Sequence, residues 1–168
     1  MSAGIDTAGP LEHRAEAERS FARSAWLAIL AKATVDELEA GWNALADKPQ
    51  YRMLRRPETG LVMLRGRVGG TGQPFNLGEM TMTRAAVQLL DDTGDTRQTG
   101  FGHVAGRSGR HAELVALFDA LLQVPARHDM AAAQVVGPIA ARQQASTAAQ
   151  AAKAAATKVD FFTMVRGE

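Results

Sequence analysis

Two extended segments separated by a glycine-rich turn constrain the fold of this chain more than any other feature. Residues 61–68 and 75–83 read as strands, and Gly69-Gly70-Thr71-Gly72 lies between them. This pattern predicts an antiparallel β-hairpin. Pairing residues whose numbers sum to 144 gives one apolar and one mostly polar face, and it sets Arg65 opposite Glu79.

Two helices are predicted before this hairpin. Apolar spacing after Leu11 indicates the first helix. The segment Thr34-Val35-Asp36-Glu37 is a capping box, because the Thr hydroxyl can accept the N3 amide while the Glu side chain accepts the N-cap amide. The helix that it opens ends before Pro49. We expect the two helices to form a helical hairpin.

The remaining signals predict more strands and a group of later helices. Strand character begins at Tyr51, with a predicted turn at Glu58-Thr59-Gly60, and returns at residues 99–105 after a loop at 91–95. Ser108 is predicted to cap an amphipathic helix that stops at Pro125. We therefore expect an α+β fold: an antiparallel sheet of about four strands packed with the N-terminal helical hairpin and C-terminal helices.

Alanine and glutamine dominate residues 131–157, and alanine is the best helix former. Gly137-Pro138 is expected to break this helix early. With few large apolar side chains, the later part is predicted to be an extended, semi-rigid helical arm. The expected organisation is a disordered tip at 1–10, an α+β domain at 11–128 and the alanine-rich arm at 129–168.

The end of the chain is unusually apolar. Phe161 and Phe162 are adjacent, and Met164, Val165 and Arg166 follow. Each large apolar side chain left in water forgoes roughly 1.5–3 kcal/mol of burial. We expect this segment to dock, either on its own domain or on a partner. The sparse arm before it favours docking at a distance from the sheet.

Composition excludes several function classes. A net charge of +1 gives no electrostatic basis for nucleic acid or membrane as the main partner. No apolar run reaches transmembrane length, and no signal peptide is recognisable, so we expect a cytoplasmic protein. The absence of cysteine excludes thiolate nucleophiles and Cys-ligated metals. The spacing of the four histidines predicts no metal site, and no catalytic residue is assigned.

Anion contacts are the best site candidates. Arg84 would lie opposite Gly60, on the apolar-facing parity, where it could hold an anion, although a structural ion pair is favoured. Arg107, Ser108 and His111 mark a helix N-terminus, whose free N–H groups and dipole suit phosphate. A simple Ser108 cap, with solvated arginines and with His111 at the flank of the helix, is the favoured alternative. His103 on the preceding strand is a candidate to converge on this turn.

The glycine loop is a second candidate. Backbone amides of Gly69, Gly70, Thr71 and Gly72 could cradle phosphate. However, the loop joins two strands and lacks the lysine and following helix of a P-loop. A plain hairpin turn is therefore favoured over a loop that contacts a ligand or partner.

Together these segments resemble PhnG, the G subunit of the bacterial carbon–phosphorus lyase system. The likeness runs from about Ala25 to the end of the chain. It is carried in order by Glu58-Thr59-Gly60-Leu61, Gly69-Gly70-Thr71-Gly72, Thr83-Arg84-Ala85-Ala86-Val87, Gly106-Arg107 with His111-Ala112-Glu113, and the segment 159–167.

The resemblance implies a set of partners and a reaction. Members of the family assemble with the H, I and J subunits. With H and I, and an ATPase-like L subunit, they support displacement of adenine from MgATP by a phosphonate, giving a ribose 1-phosphonate 5-triphosphate. The J subunit later breaks the carbon–phosphorus bond by radical chemistry with an iron–sulfur cluster and S-adenosylmethionine.

The resemblance also implies how the work is divided. Catalysis of the transfer is usually placed on the I subunit, so this chain is expected to be an accessory subunit closest to I that binds no cofactor alone. Arg84, Arg107 or His111 would then lie near a polyphosphate. A pure scaffold without ligand contact and a stand-alone phosphate-binding module are the alternatives.

Overall fold

The structure, a computed structural model, describes residues 23–90 and 96–157. Its centre is an antiparallel sheet of three strands in the order β1-β2-β3. The strands are β1 (Tyr51–Arg67), β2 (Pro74–Leu90) and β3 (Thr96–Ala105). Helices precede and follow the sheet, which confirms the predicted α+β class. The sheet has three described strands instead of about four.

The difference in the number of strands arises at Glu58-Thr59-Gly60. We predicted a turn there, and that prediction is wrong, because β1 continues through it. Register shifts between Met53 and Arg55 and between Arg55 and Glu58 interrupt the pairing instead. Such bulges accommodate Pro57, which has no N–H to give to a ladder. One long, irregular strand therefore replaces two short ones.

The hairpin between β1 and β2 is present, but its predicted register is wrong by two residues. Val62 lies opposite Met80 and Leu64 opposite Gly78, so the numbers sum to 142 instead of 144. Glu79 consequently faces Met63 and not Arg65. A shift by two keeps every side chain on its own face, so alternation of apolar residues specifies the parity of the pairing but not the register.

Two helices lead into the sheet, as predicted. Helix α1 covers residues 23–30 in the described part, and α2 spans Val35–Ala44. The start expected near Leu11 lies outside the described residues. The capping box is confirmed: Glu37 N donates to Thr34 Oγ1 at 3.2 Å, and Thr34 N donates to Glu37 Oε2 at 2.8 Å.

The longest run of buried residues is in helix α3 (Gly109–Leu122), which Ser108 caps as predicted. One side of α3 packs on β2 and β3, and the other contacts α2 and helix α4 (Pro125–Ala131). Phe118 and Leu114 are among its fully buried side chains. This helix is the centre of the hydrophobic core.

Close approach of α3 to the sheet depends on two glycines of β3. A Cβ built on Gly100 would lie 1.9 Å from the carbonyl oxygen of Ala116. A Cβ on Gly102 would lie 1.9 Å from that of Ala112. The glycines and alanines therefore let backbone pack directly on backbone.

The predicted helix break at Gly137-Pro138 is wrong. A π-helical segment, Ala132–Val136, follows α4, and helix α5 (Gly137–Ala156) continues without interruption. Gly137 N donates to Ala132 O, the five-residue spacing of a π turn. Pro138 lies in the first turn of α5, directly after the π segment, and the helix continues through it although proline has no N–H to donate.

The later part of α5 projects into solvent. Ile139 is buried, but the side chains of residues 144–157 are all exposed. Arg142 and Glu37 form an ion pair that fastens the first turns of α5 to α2. Residues 1–10 and the apolar segment with Phe161, Phe162, Met164, Val165 and Arg166 lie outside the described residues, and the domain division stays a prediction. Within residues 23–90 and 96–157, no helix combines the length and apolar character needed to cross a bilayer.

Candidate functional site on the open face of the sheet

One face of the sheet is covered by α3, and the other carries a row of polar side chains. Thr83, Ala85 and Val87 of β2 are buried on the helix side. Because side chains alternate along a strand, Arg84 is on the opposite, open face. Its neighbours across the sheet are Glu58 on β1 and His103 on β3.

These three residues line a cleft of about 560 Å³. Thr59, Gly60, Leu61, Val62 and Met82 complete its wall. The cleft therefore combines a polar row with the beginning of an apolar strip along the hairpin.

Arg84 forms the ion pair that the sequence favoured. Its Nε lies 2.6 Å from Glu58 Oε1, and Arg55 Nη1 lies 2.5 Å from the same oxygen. The placement opposite Gly60 is wrong, because the register brings Glu58 there. Hydrogen bonds from Arg55 and then Arg84 lower the pKa of the Glu58 carboxyl. The guanidinium groups of Arg55 and Arg84 thus share one carboxylate, so these three side chains together have a net positive charge.

The N-terminus of α3 does not assemble the expected anion cluster. Ser108 Oγ accepts a hydrogen bond from His111 N at 3.2 Å, so the hydroxyl serves as the cap. His111 Nε2 donates to the carbonyl of Leu30 at 3.3 Å, which turns the ring toward α1. Arg107 is exposed and, among the described residues, has no ion-pair partner. His103 lines the sheet cleft beside Arg84, and Arg107 is not among the residues that line it.

The glycine loop closes the hairpin. Gly69 and Gly70 have φ values of 61° and 79°, the left-handed region that glycine tolerates. Gly72 N donates to Val68 O at 2.9 Å, and Arg67 Nη1 donates to Gly72 O at 3.1 Å. Thr71 lies in the same turn. These bonds account for the loop as a turn, and a ligand role for it stays a prediction.

Asp119 is a buried charged residue that the sequence patterns did not single out. Its fully buried carboxylate accepts hydrogen bonds from Arg23 Nε, Trp26 Nε1 and Phe101 N at 3.0, 3.0 and 2.8 Å. The sequence does place this one acidic residue within the apolar run of α3, and that position could have indicated a buried carboxylate. Because each oxygen is satisfied from within the chain, the residue is structural. Among the described residues, no group of three or more metal-ligating side chains is arranged to hold a metal ion.

Comparison with known proteins adds to this geometry. The sequence model of the family described as "Phosphonate metabolism protein PhnG" matches residues 21–167. A protein of Rhizobium meliloti (strain 1021) is 48% identical over 140 residues, covering 83% of this chain and 86% of its own length. That relative is named alpha-D-ribose 1-methylphosphonate 5-triphosphate synthase subunit PhnG.

Proposed function

Because the chain belongs to the PhnG family, we propose that it is an accessory subunit of an alpha-D-ribose 1-methylphosphonate 5-triphosphate synthase. The assembly transfers a phosphonate to the ribose C1 of MgATP and releases adenine, in organic phosphonate catabolism. The observation that carries the proposal is the 48% identity to a named synthase subunit, which extends over most of both chains. The isolated chain is expected to have no activity.

The proposed partners are the H, I and J subunits of the carbon–phosphorus lyase core, with I closest. The C-terminal segment around Phe161 and Phe162 supports a docked subunit, because two adjacent phenylalanines in water are unfavourable. The exposed helix before it supports docking away from the sheet. MgATP is a substrate of the assembly, and this chain alone binds no cofactor.

The proposed contribution to the reaction is electrostatic. Arg84 donates a hydrogen bond from Nε to Glu58, and within the described residues its two Nη groups donate none. Arg107 is exposed beside the N-terminus of α3. Guanidinium groups bind phosphate oxygens strongly, since the hydrogen bonds are charge-assisted. We place these two arginines near the triphosphate, whereas His111 is already held by Leu30.

A pure scaffold is the second candidate. It is favoured by the internal partners of three predicted site residues: Glu58 for Arg84, the His111 amide for Ser108, and the Leu30 carbonyl for His111. A side chain that already has a partner must break that contact to bind a ligand. The scaffold account therefore predicts arginine variants with unchanged turnover.

Reconstitution with the remaining subunits tests both candidates. The double variant Arg84→Ala/Arg107→Ala should assemble normally but lose about tenfold or more in synthase rate, since a charge-assisted hydrogen bond contributes roughly 1.5–3 kcal/mol. Lys32→Ala, another exposed cation, is the matched control and should keep its rate. Normal assembly with an unchanged rate would favour the scaffold. Failure of the wild-type chain to assemble would overturn the subunit proposal itself.

A further inference from the structure

The β1–β2 hairpin extends far beyond the third strand. The pairing of β2 with β3 ends at Met82 and Ala105, and Met82 lies opposite Gly60, so residues 61–81, here called the hairpin arm, form a two-stranded ribbon. At about 3.3 Å per residue, the part from Gly60 to Arg67 reaches roughly 23 Å. An isolated two-stranded hairpin is only marginally stable in water. The arm therefore lacks the support that the rest of the sheet has.

The hairpin arm exposes apolar side chains on both faces, and the face of Leu61 and Met63 also carries Thr81 and Glu79. Leu61 and Met63 share one face, and Val62 and Leu64 share the other, because side chains alternate. The large exposed side chains of the arm and their exposures are Leu61 63%, Met63 50%, Leu64 41%, Val68 70%, Phe75 43% and Leu77 61%. A soluble monomer rarely exposes a contiguous apolar patch above roughly 300–600 Å². Such a surface on both faces suits a partner that encloses the ribbon.

The charges of β1 indicate what kind of partner fits. Strand β1 lies at the edge of the sheet, so one side of its backbone is unpaired within the described residues. The strand carries five arginines and a single acidic residue, namely Arg52, Arg55, Arg56, Arg65, Arg67 and Glu58. Pairing with β1 of a second copy would bring arginines together, and like charges on paired strands are destabilising. The edge therefore favours a different, acidic chain.

We propose that the hairpin arm is the element that another subunit of the synthase assembly clasps. The partner surface packs apolar side chains against both faces of the arm and presents carboxylates to Arg65 and Arg67. Among the described residues, Arg65 has no ion-pair partner, and Arg67 contacts only the Gly72 carbonyl of its own turn. The inference rests on the proposed function and adds a location for the contact.

Competition for limiting partner subunits tests the hairpin arm. Leu61→Asp and Leu54→Asp form a matched pair, because both are exposed leucines of β1, at 63% and 50%, and only Leu61 is in the arm. Each variant is co-expressed with differently tagged wild-type chain and the remaining subunits. In the purified assembly, wild type should exceed Leu61→Asp by tenfold or more and match Leu54→Asp within about twofold. Arg65→Glu/Arg67→Glu should also be depleted.

The competition experiment separates the hairpin-arm proposal from the subunit assignment. Equal incorporation of Leu61→Asp and Leu54→Asp would overturn the arm proposal while leaving the subunit assignment intact. Absence of wild-type chain from the assembly would instead overturn the assignment. If the isolated chain dimerises and Leu61→Asp abolishes only the dimer, the arm binds a second copy and the proposal is wrong. Thermal unfolding of each variant, unchanged from wild type, shows that the core is intact.

Discussion

Arg23 binds the buried carboxylate of Asp119 through two hydrogen bonds, with Nε 3.0 Å from Oδ1 and Nη2 2.6 Å from Oδ2. Arg23 is in α1, and Asp119 is in the middle of α3. Phe101 of β3 donates its backbone N–H to the same carboxylate. One charge pair thus joins the first described helix, the core helix and the free edge of the sheet.

Removal of Arg23 should be costly. In Arg23→Met the Asp119 carboxylate stays buried without a counter-charge, which costs roughly 3 kcal/mol in the free energy of unfolding. Arg142→Met is the matched control, because Arg142 pairs with Glu37 at an exposed site, where a pair contributes about 1 kcal/mol or less. Urea unfolding measures both. Equal decreases in the free energy of unfolding of the two variants would show that the buried pair stabilises the fold no more than the exposed pair does.

Gly102→Ala should destabilise the contact between β3 and α3. The new Cβ would lie 1.9 Å from the Ala112 carbonyl oxygen, and helix backbone cannot move aside as a side chain can. Overpacking costs about 1–3 kcal/mol or more. Gly60→Ala is the control, because nothing lies within 4 Å of its Cβ position, and it should change stability by less than about 0.5 kcal/mol. A melting temperature of Gly102→Ala equal to that of wild type would contradict the packing.

Tyr51 should titrate above its ordinary range in the folded protein. Burial and a 2.7 Å hydrogen bond to Glu113 raise the pKa of its phenol above 10.0. Since Tyr51 is the single tyrosine, tyrosinate absorbance at 295 nm reports it alone. The raised value means that its contribution to stability is complete below pH 10 and is lost as the pH rises through the folded pKa.

Glu113→Gln provides the test of that cause. It removes the negative charge beside the phenol, so the midpoint should move down toward the ordinary value while burial keeps it above. In denaturing urea both proteins should titrate near 10. A native wild-type midpoint at or below that of the urea sample would contradict the Tyr51–Glu113 hydrogen bond.

The C-terminal aromatics should be needed for assembly. Phe161→Ala/Phe162→Ala removes two large apolar side chains, each of which contributes roughly 1.5–3 kcal/mol when buried. Co-purification with the I subunit should fall by tenfold or more, whereas Thr163→Ala should leave it unchanged. Full recovery of the double variant with the I subunit would show that this segment is not a docking element.

Local signals in the sequence predicted local structure well. The capping box of Thr34 and Glu37 and the cap at Ser108 were both correct, because a cap depends on residues within one turn. The α+β class followed from the order of helical and extended segments. The Arg84 ion pair was favoured correctly, but its partner was missed because the pairing register was displaced by two residues.

Features that depend on distant contacts could not be predicted from such patterns. The Arg23–Asp119 pair spans a separation of 96 residues, and no periodicity reports it. The bulges that carry β1 through Pro57 depend on the pairing with β2, so Glu58-Thr59-Gly60 resembled a turn. Gly100 and Gly102 did contain a usable signal. They lie on one face of β3, and helix α3 has alanine at every fourth position, 112, 116 and 120, so both surfaces allow a close approach.

Hydrogen–deuterium exchange of the chain, alone and with the remaining synthase subunits, tests whether a partner subunit encloses the hairpin arm. Backbone amides of the hairpin arm lack tertiary cover in the isolated chain and should exchange rapidly there. We predict that residues 61–81 become protected at least tenfold in the presence of the subunits, while the exchange of α3 stays unchanged. Unchanged exchange across the arm in a sample that contains the assembled complex would contradict the account.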